Sequence, residues 1–330
     1  MENLKFTIIT PSFNQGNFIE ETICSIISQN YRNFEYFIID GGSSDNSVSI
    51  IEKYQHEITY WISEKDNGQS HALNKGLQRA IGDILIWINS DDVLEKDSLK
   101  KAANYFLDNP HVDVVHGSTM LFQGNHHLIR GANEEHLPEQ YLSGMAFPQP
   151  SAFIRRSAIQ KFYPVLNESL HFGMDYDLFA CLYLNGSFLS VPDVFSKYRL
   201  HPESKTVTTN EAFARDWQKV FCKIIRSIGG FEEIEVNLEE LGMWHQVETT
   251  YSVLKSVEKK FLMKSFQHFL DFQINFYYRD LNLSQVRRIG GFMKKKFPDF
   301  YREQNIRRIH VISIIPLSKY LIPLMRKTTF

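Results

Sequence analysis

Ile84-Leu85-Ile86-Trp87-Ile88-Asn89-Ser90-Asp91-Asp92 is an apolar run that stops on a polar turn bearing two adjacent carboxylates. A short apolar run bounded by turn residues is the pattern of a strand buried on both faces. The same pattern precedes it three times. Phe6-Thr7-Ile8-Ile9-Thr10 stops at Pro11, Phe34 to Ile39 stops at Asp40, and Ile58 to Ile62 stops at the Ser63-Glu64-Lys65-Asp66 loop. Between these runs lie segments with helical spacing: Ile19, Ile23, Ile26 and Ile27, and then Ser70 to Ala80, closed by Gly82. Gly41-Gly42-Ser43-Ser44 is loop chemistry, and Asp45 is placed to cap the helix after it. Strand, loop and helix in alternation predict an α/β fold with a parallel sheet covered on both faces.

In such sheets the polar residues just beyond the strand C-termini line the ligand crevice. Asp40 and the Asp91-Asp92 pair fall there. Adjacent carboxylates repel one another, and a hard divalent cation shared with a phosphate explains why they would be kept together. A turn followed by a helix cap explains them too. Asp40 can accept hydrogen bonds from a base or ribose, or it can close the turn that follows it. The segment Ser63 to Ser70, with Asn74 one turn into the next helix, reads either as a charged surface loop or as a pocket wall. After about residue 110 the rhythm changes. Val112 to Val115 and Thr119 to Phe122 read as two short strands, Asp175 to Leu184 as a helix, and Phe188 to Val191 and Phe195 to Leu200 as two further strands. From about Glu211 the pattern is mostly helical.

Four segments, taken in order, carry a family resemblance: Thr10-Pro11-Ser12-Phe13-Asn14-Gln15, Ile38-Ile39-Asp40-Gly41-Gly42-Ser43-Ser44-Asp45, Asp66-Asn67-Gly68 through Asn74-Lys75-Gly76, and Asn89-Ser90-Asp91-Asp92. Together they resemble the family 2 glycosyltransferases of the GT-A fold, over roughly residues 4–205. The resemblance implies a GT-A nucleotide-binding fold with a mostly parallel central sheet and a helical C-terminal extension. It divides the chain into a glycosyltransferase domain at 1–205 and an extension at 206–330. Within the domain, 1–110 would be the nucleotide-binding half and 111–205 the acceptor and catalytic half.

The site residues follow from the same resemblance. Thr10, Pro11, Ser12 and Asn14 would sit under the donor nucleotide. Asp40 would read the base of a UDP- or dTDP-sugar, and Asp66 and Asn74 would line the same pocket. Asp91 and Asp92 stand where the family has its DxD-type motif, with Asn89 in place of the first acid. That leaves Asp91, Asp92 or both as ligands of Mn2+ or Mg2+, with Asp91 also a donor contact. Met174-Asp175-Tyr176-Asp177-Leu178 resembles the family's ED-x-DLW segment, whose second acid is the catalytic base. The match names Asp175, with Met174 replacing the first acid and Asp177 as the rival. Capping the helix start is the plain alternative for either. Tyr198-Arg199-Leu200-His201 resembles the closing R-x-H segment, which makes His201 a metal ligand or diphosphate contact and Arg199 a diphosphate contact. A surface histidine before Pro202 is the bland reading. Gln149 matches a position near the acceptor, with Pro148 where relatives often carry histidine. The implied reaction is an inverting transfer of a sugar from a nucleotide-diphosphate sugar to a hydroxyl of a glycan or lipid-linked acceptor. The alternative is a catalytically impaired nucleotide-sugar- or carbohydrate-binding protein on the same fold.

Other readings are excluded on specific grounds. A nicotinamide-dependent oxidoreductase needs Gly-x-Gly-x-x-Gly after the first strand, and Pro11 occupies that turn. The net charge of -2 over 330 residues gives the whole chain no nucleic-acid signature. Cys24, Cys181 and Cys222 are far apart and odd in number, which fits buried thiols in a reducing compartment. With no leader-like start and no apolar stretch near the length of about 20 residues that a spanning helix needs, a cytoplasmic protein is expected. One segment departs from the average. Arg287, Arg288, Lys294, Lys295, Lys296, Arg302, Arg307 and Arg308 are opposed only by Asp299 and Glu303, with Phe292, Phe297, Phe300 and Tyr301 interleaved. The apolar stretch Val311 to Met325 follows, broken by Pro316 and Pro323. Residues 287–325 suit peripheral contact with an anionic membrane surface, or a solvated helical face packed on the rest of the chain.

Overall fold

The computed structural model describes residues 4–124, 126–131, 137–163, 165–202, 204, 211–303, 305–315 and 319. The chain divides into two compact units, one from residues 1–136 and 145–207, the other from 137–144 and 208–330. Among the described residues, no helix is long and apolar enough to cross a membrane.

The first unit alternates β1 (Phe6–Ser12), α1 (Ile19–Ile27), β2 (Phe34–Asp40), α2 (Ser47–Lys53), β3 (Tyr60–Ser63), α3 (Gln69–Arg79), β4 (Ile84–Trp87), β5 (Val93–Leu94) and α4 (Ser98–Asp108). It continues with β6 (Val114–Gln123), β7 (His126–Arg130), β8 (Ala152–Arg155), α5 (Arg156–Phe162), α6 (Met174–Asn185) and β9 (Phe188–Arg199). The described strands form one sheet in the order β3-β2-β1-β4-β8-β6-β9-β5, with β7 paired to β6. The pairings from β3 through β4 are all parallel, and β8 enters antiparallel to both β4 and β6. This is the α/β architecture that the sequence predicts.

β1 is buried at every position, as a strand covered on both faces must be. α1 turns Ile19, Ile23 and Ile26 onto the sheet, where they meet Phe6, Ile8, Tyr36 and Ile38 in the core. Full burial of each such side chain contributes about 1.5–3 kcal/mol. Asp45 is not the N-cap of α2, which is Asn46; it stands one residue earlier, its Oδ1 accepting the Ser47 N–H (2.9 Å) and its Oδ2 the Gly16 N–H (2.8 Å). Gly82 does not close α3, which ends at Arg79. Its reason is close approach, because a Cβ there would stand 2.5 Å from the Thr7 amide nitrogen.

Two expectations are corrected. Val112–Val115 and Thr119–Phe122 belong to a single strand, β6, and Phe188–Val191 and Phe195–Leu200 to a single strand, β9. The break suggested by the sequence is a bulge. The register between β6 and β9 shifts on either side of Ser118, and Gly117 and Pro192 lie in the irregular stretch. Pro192 has no N–H to give a ladder, and an irregularity is where a strand tolerates it. At Gly117 a Cβ would stand 2.4 Å from the Asp193 carbonyl oxygen. Gly117→Ala is therefore expected to lower stability by about 2–3 kcal/mol, read as a shift of the denaturation midpoint. A midpoint within error of wild type contradicts this account of the bulge.

The second unit is helical: α7 (Glu211–Ile228), α8 (Glu232–Glu240), α9 (Lys259–Arg279), α10 (Leu283–Lys296), α11 (Pro298–Glu303) and α12 (Ile306–Ile314). Phe221 of α7 stacks on Phe269 of α9 with ring centroids 4.1 Å apart. Gln218 is buried beside them and donates to Gln273 Oε1 (2.8 Å) and the Tyr277 hydroxyl (3.0 Å). On α9, burial pushes the Asp271 carboxyl up to about 6, with a hydrogen bond from Asn275 opposing the shift. A carboxyl whose folded pKa lies above its unfolded value stabilises the fold at pH below the unfolded pKa, and that contribution is lost as pH rises through about 6. Asp271→Asn is thus expected to be more stable than wild type by about 1–2 kcal/mol at neutral pH and nearly equal to it near pH 4. Thermal midpoints at both pH values check this, and an equal gap at both contradicts it.

Candidate active site

The parallel strands end together. Ser12 at the end of β1 pairs with Asp40 at the end of β2, and Asp40 pairs with Ser63 at the end of β3. Beyond these ends lies a cleft of about 600 Å³, of the size that holds a small-molecule ligand. Pro11, Ser12, Asp66 and Asp91 line it, all of them residues singled out in the sequence. Ser12 is buried, and its hydroxyl finds no protein partner among the described residues. Asp66 accepts the Gly68 N–H (2.8 Å) and lies over Gly41, where a Cβ would stand 2.9 Å from its carboxylate.

The two adjacent acids separate into different environments. Asp91 lines the cleft, and its Oδ2 lies 3.0 Å from His201 Nε2. Asp92 is fully buried behind it. Its oxygens accept from the Arg199 backbone N–H (3.3 Å) and from the Asn89 amide (3.1 Å). Burial, and then the charge of Asp91, push the Asp92 carboxyl well above the usual carboxylate range. The His201 ring rests on Phe18 with centroids 4.5 Å apart. Arg199 does not line the cleft. Its Nε donates to the Asp91 carbonyl (3.2 Å), its guanidinium pairs with Glu21, and it lies over the rings of Phe18 and Phe122. Asn89, where the motif lacks an acid, accepts from Gln69 Nε2 (2.7 Å) while donating to Asp92.

Other expected contacts lie outside the cleft lining, each for a local reason. Asp40 is fully buried, and its carboxylate accepts from the Gly42 and Ser43 N–H groups and the Ser43 and Ser63 hydroxyls (2.5–3.1 Å). It closes the Gly41-Gly42-Ser43 turn. Asn14 has φ 51, and its Oδ1 accepts the Ser44 N–H, which ties this loop to the same turn. Thr10 is buried and accepts from the Tyr36 hydroxyl (3.1 Å). Asn74 clamps the segment before α6, accepting the Leu166 N–H (2.8 Å) and donating to the Leu166 carbonyl and the Glu168 carboxylate (3.0 Å each). Gln149 donates to the Trp87 carbonyl (2.9 Å) at the end of β4. Asp177 is buried and accepts from the Tyr163 hydroxyl. Asp175 is partly exposed in the first turn of α6, its Oδ1 accepting the Tyr176 N–H (2.8 Å). Next to it, Met174 is buried with its sulfur 2.8 Å from the hydroxyl of Ser70, a cleft residue.

The cleft also contains residues that the sequence did not single out: Glu168, His171, Tyr198 and Ser204. Glu168 and His171 carry no periodic signal, and their place depends on the Asn74 clamp from 92 residues away. Ser204 follows His201 closely, its hydroxyl (2.9 Å) and its N–H (3.0 Å) both donating to the His201 carbonyl.

Among the described residues, no group of three or more His, Cys, Asp and Glu is arranged to hold a metal. The nearest donor pair is the Asp91 carboxylate, which lines the cleft, and the His201 imidazole, which is not among the lining residues and reaches the site through Asp91 (3.0 Å). That pair fits a divalent cation that completes its shell with phosphate oxygens and water.

Residues 7–163 match the model of glycosyl transferase family 2. These residues belong to glycosyl transferase family 2. The chain is 26% identical over 269 residues to an uncharacterized glycosyltransferase of Rickettsia typhi, covering 79% of this chain and 82% of that one. It is 32% identical over 117 residues to the Staphylococcus aureus poly(ribitol-phosphate) beta-N-acetylglucosaminyltransferase TarS, covering 34% of this chain and 20% of that one. The structure of TarS 1-349 in complex with UDP-GlcNAc aligns with TM-score 0.59 and 17% identity, covering 99% of this chain and 93% of that one. The mannosyltransferase PcManGT of Pyrobaculum calidifontis, in complex with GDP-Man and Mn2+, aligns with TM-score 0.55 and 13% identity, covering 99% and 89%. At these identities the structural likeness establishes the fold, which is the GT-A one for this glycosyltransferase.

Proposed function

We propose that this glycosyltransferase moves a sugar from a UDP- or dTDP-sugar to a hydroxyl of a glycan or lipid-linked acceptor, with inversion, in the assembly of a bacterial surface polymer. The observation that carries the reading is the cleft at the strand ends with Asp91 facing into it and His201 on Asp91. TarS acts on poly(ribitol-phosphate) by its name, and its structure was solved with UDP-GlcNAc, which supports the substrate class.

In this reading Pro11, Ser12 and Asp66 form the floor under the nucleotide, and the Ser12 hydroxyl meets a partner only when the nucleotide is bound. Asp40, Asn14 and Asn74 act one layer back by fixing the loops that shape the floor. Asp91 and His201 would hold Mn2+ or Mg2+, which when bound would offset charge on the diphosphate leaving group. Asp92 stays behind the site and sets the turn on which Asp91 stands, and Arg199 braces that turn through the Asp91 carbonyl. Asp175 serves as the base, taking the proton of the acceptor hydroxyl as its oxygen attacks the anomeric carbon from the face opposite the nucleotide. A single displacement with one base inverts the anomeric centre, and no nucleophilic carboxylate of the retaining-glycosidase kind is needed. Asp177, paired with Tyr163, is left without that role.

The test is release of nucleoside diphosphate from UDP-, dTDP- and GDP-sugars in Mn2+, Mg2+ or EDTA, with the anomeric configuration of any glycoside product read by NMR. Turnover of one nucleotide class, dependent on metal and giving the inverted product, is expected. A retained configuration contradicts the single displacement. Donor binding without turnover of any sugar favours the catalytically impaired binding protein.

A further inference from the structure

In the second unit, α12 packs antiparallel to α10. Arg287 donates to the Ser313 carbonyl (2.9 Å), and Gly290 abuts His310, where a Cβ would stand 2.4 Å from the ring. That register sets the last turn of α10, with Lys294 and Lys295, beside the first turn of α12. The inner side of α12 is Ile306, Ile309, His310 and Ser313, all buried. Its outer side carries Arg307, Arg308, Val311, Ile314 and Ile315, all exposed. These positions recur at intervals of three and four and form one stripe.

Folding of the helix does not account for that stripe. Val311 is 50% exposed and Ile314 57%, on a face that water alone would favour as polar. Arg307 and Arg308 stand in the first turn of α12, which contains no acid. That is the positive end of the helix dipole, where cations are disfavoured. Nearby Lys296 pairs with Glu233 and Arg302 with Asp299, whereas Arg307, Arg308, Lys294 and Lys295 form no ion pair among the described residues. A local rule broken without a structural return points to a role in recognition. Basic side chains in the first turn of a helix and apolar ones in the turns after it, on one exposed face, complement an anionic lipid interface, which offers phosphates above and acyl chains beneath.

We propose that the outer face of α12, with the end of α10, docks on an anionic membrane surface, Val311, Ile314 and Ile315 entering the interface and the basic side chains meeting the headgroup phosphates. This proposal is independent of the donor site. The apolar stretch expected from Val311 to Met325 is described only to residue 315, and residues 316–318 and 320–330, including Pro316 and Pro323, lie outside the described residues.

The test is co-sedimentation of the full chain with phosphatidylcholine vesicles and with vesicles in which about a third of the lipid is phosphatidylglycerol. Partition into the anionic vesicles, weakened by high salt, is expected. Each basic residue near such a surface raises the partition coefficient about fivefold, so the Arg307→Glu/Arg308→Glu pair lowers it at least about twentyfold. The Val311→Ser/Ile314→Ser pair, which keeps every charge, lowers it severalfold. If the glutamate pair shifts the thermal midpoint, the Arg307→Gln/Arg308→Gln pair is read instead. Equal partition into both vesicle types, or partition untouched by either pair, overturns the proposal. An oligonucleotide that displaces the chain from vesicles, with the serine pair behaving as wild type, overturns it in favour of nucleic acid. Self-association lost in the serine pair, without vesicle binding, overturns it in favour of a second copy. Donor binding measured on the same variants stays at the wild-type value, which separates this result from any failure at the cleft.

Discussion

Asp91→Ala is expected to lower sugar transfer about a thousandfold and to remove the metal dependence of donor binding. The magnitude follows from the several kcal/mol that a Lewis acid contributes at a departing diphosphate, since about 4 kcal/mol is a thousandfold in rate. Asp91 is the acid of its pair that lines the cleft, and it is the one beside His201. Asp92 has no such access, being fully buried under the Arg199 backbone and the Asn89 amide. Its replacement would act through the turn and the fold, and so would appear in the thermal midpoint as well as in the rate. His201→Ala moves rate and metal affinity in the same direction as Asp91→Ala, by less, because a water can take the place of an imidazole in a hydrated cation's shell. Initial rates across a metal titration, with the midpoint recorded for each variant, check the set. An Asp91→Ala enzyme within tenfold of wild type in saturating metal would falsify the role given to this carboxylate.

Asp175→Asn is expected to lower kcat by about 10²- to 10⁴-fold while leaving the affinity for donor unchanged, the range that a general base contributes. The competing role for Asp175 is at the start of α6, where an acid in the first turn is worth about 0.3–1 kcal/mol of stability. The two roles separate cleanly. A capping residue moves the thermal midpoint and barely moves kcat, whereas a base does the reverse. Asp177→Asn supplies the contrast, because its partner Tyr163 is buried and the loss should appear in stability. If Asp177→Asn were the variant with the collapsed kcat and unchanged midpoint, the assignment of the base would have to move two residues along α6.

Much of the fold was legible because local and long-range demands agree. The runs at Phe6, Phe34 and Ile84 are apolar on both faces because the strands are covered on both faces, and α1 shows its apolar stripe because one side of it meets the sheet. Legibility failed where one residue answers to a distant partner. The stretches between Val115 and Thr119 and between Val191 and Phe195 read as breaks between strands, and only the pairing of β6 with β9 reveals a bulge there. Asp40 and Gln149 illustrate the other limit. A polar residue at a strand end is the type a ligand site requires, and it is also the type a turn requires. Asp40 closes the Gly41-Gly42-Ser43 turn and Gln149 holds the end of β4. Glu168 and His171 reach the cleft through a segment with no pattern of its own, held by a hydrogen bond that crosses 92 residues. Between Asp91 and Asp92 the sequence leaves the choice of ligand open, and what it does not show is that Asp91 lines the cleft while Asp92 is buried.

The central claim is a nucleoside diphosphate bound with metal on Asp91 and His201. Calorimetric titration of the full chain with UDP, dTDP and GDP, in Mn2+ and in EDTA, and again with Asp91→Ala, tests it most directly. One nucleotide binding in Mn2+, and at least about tenfold more weakly in EDTA or in the variant, is the predicted result. Affinity that is the same in EDTA and in Asp91→Ala, or no affinity for any of the three, would contradict it.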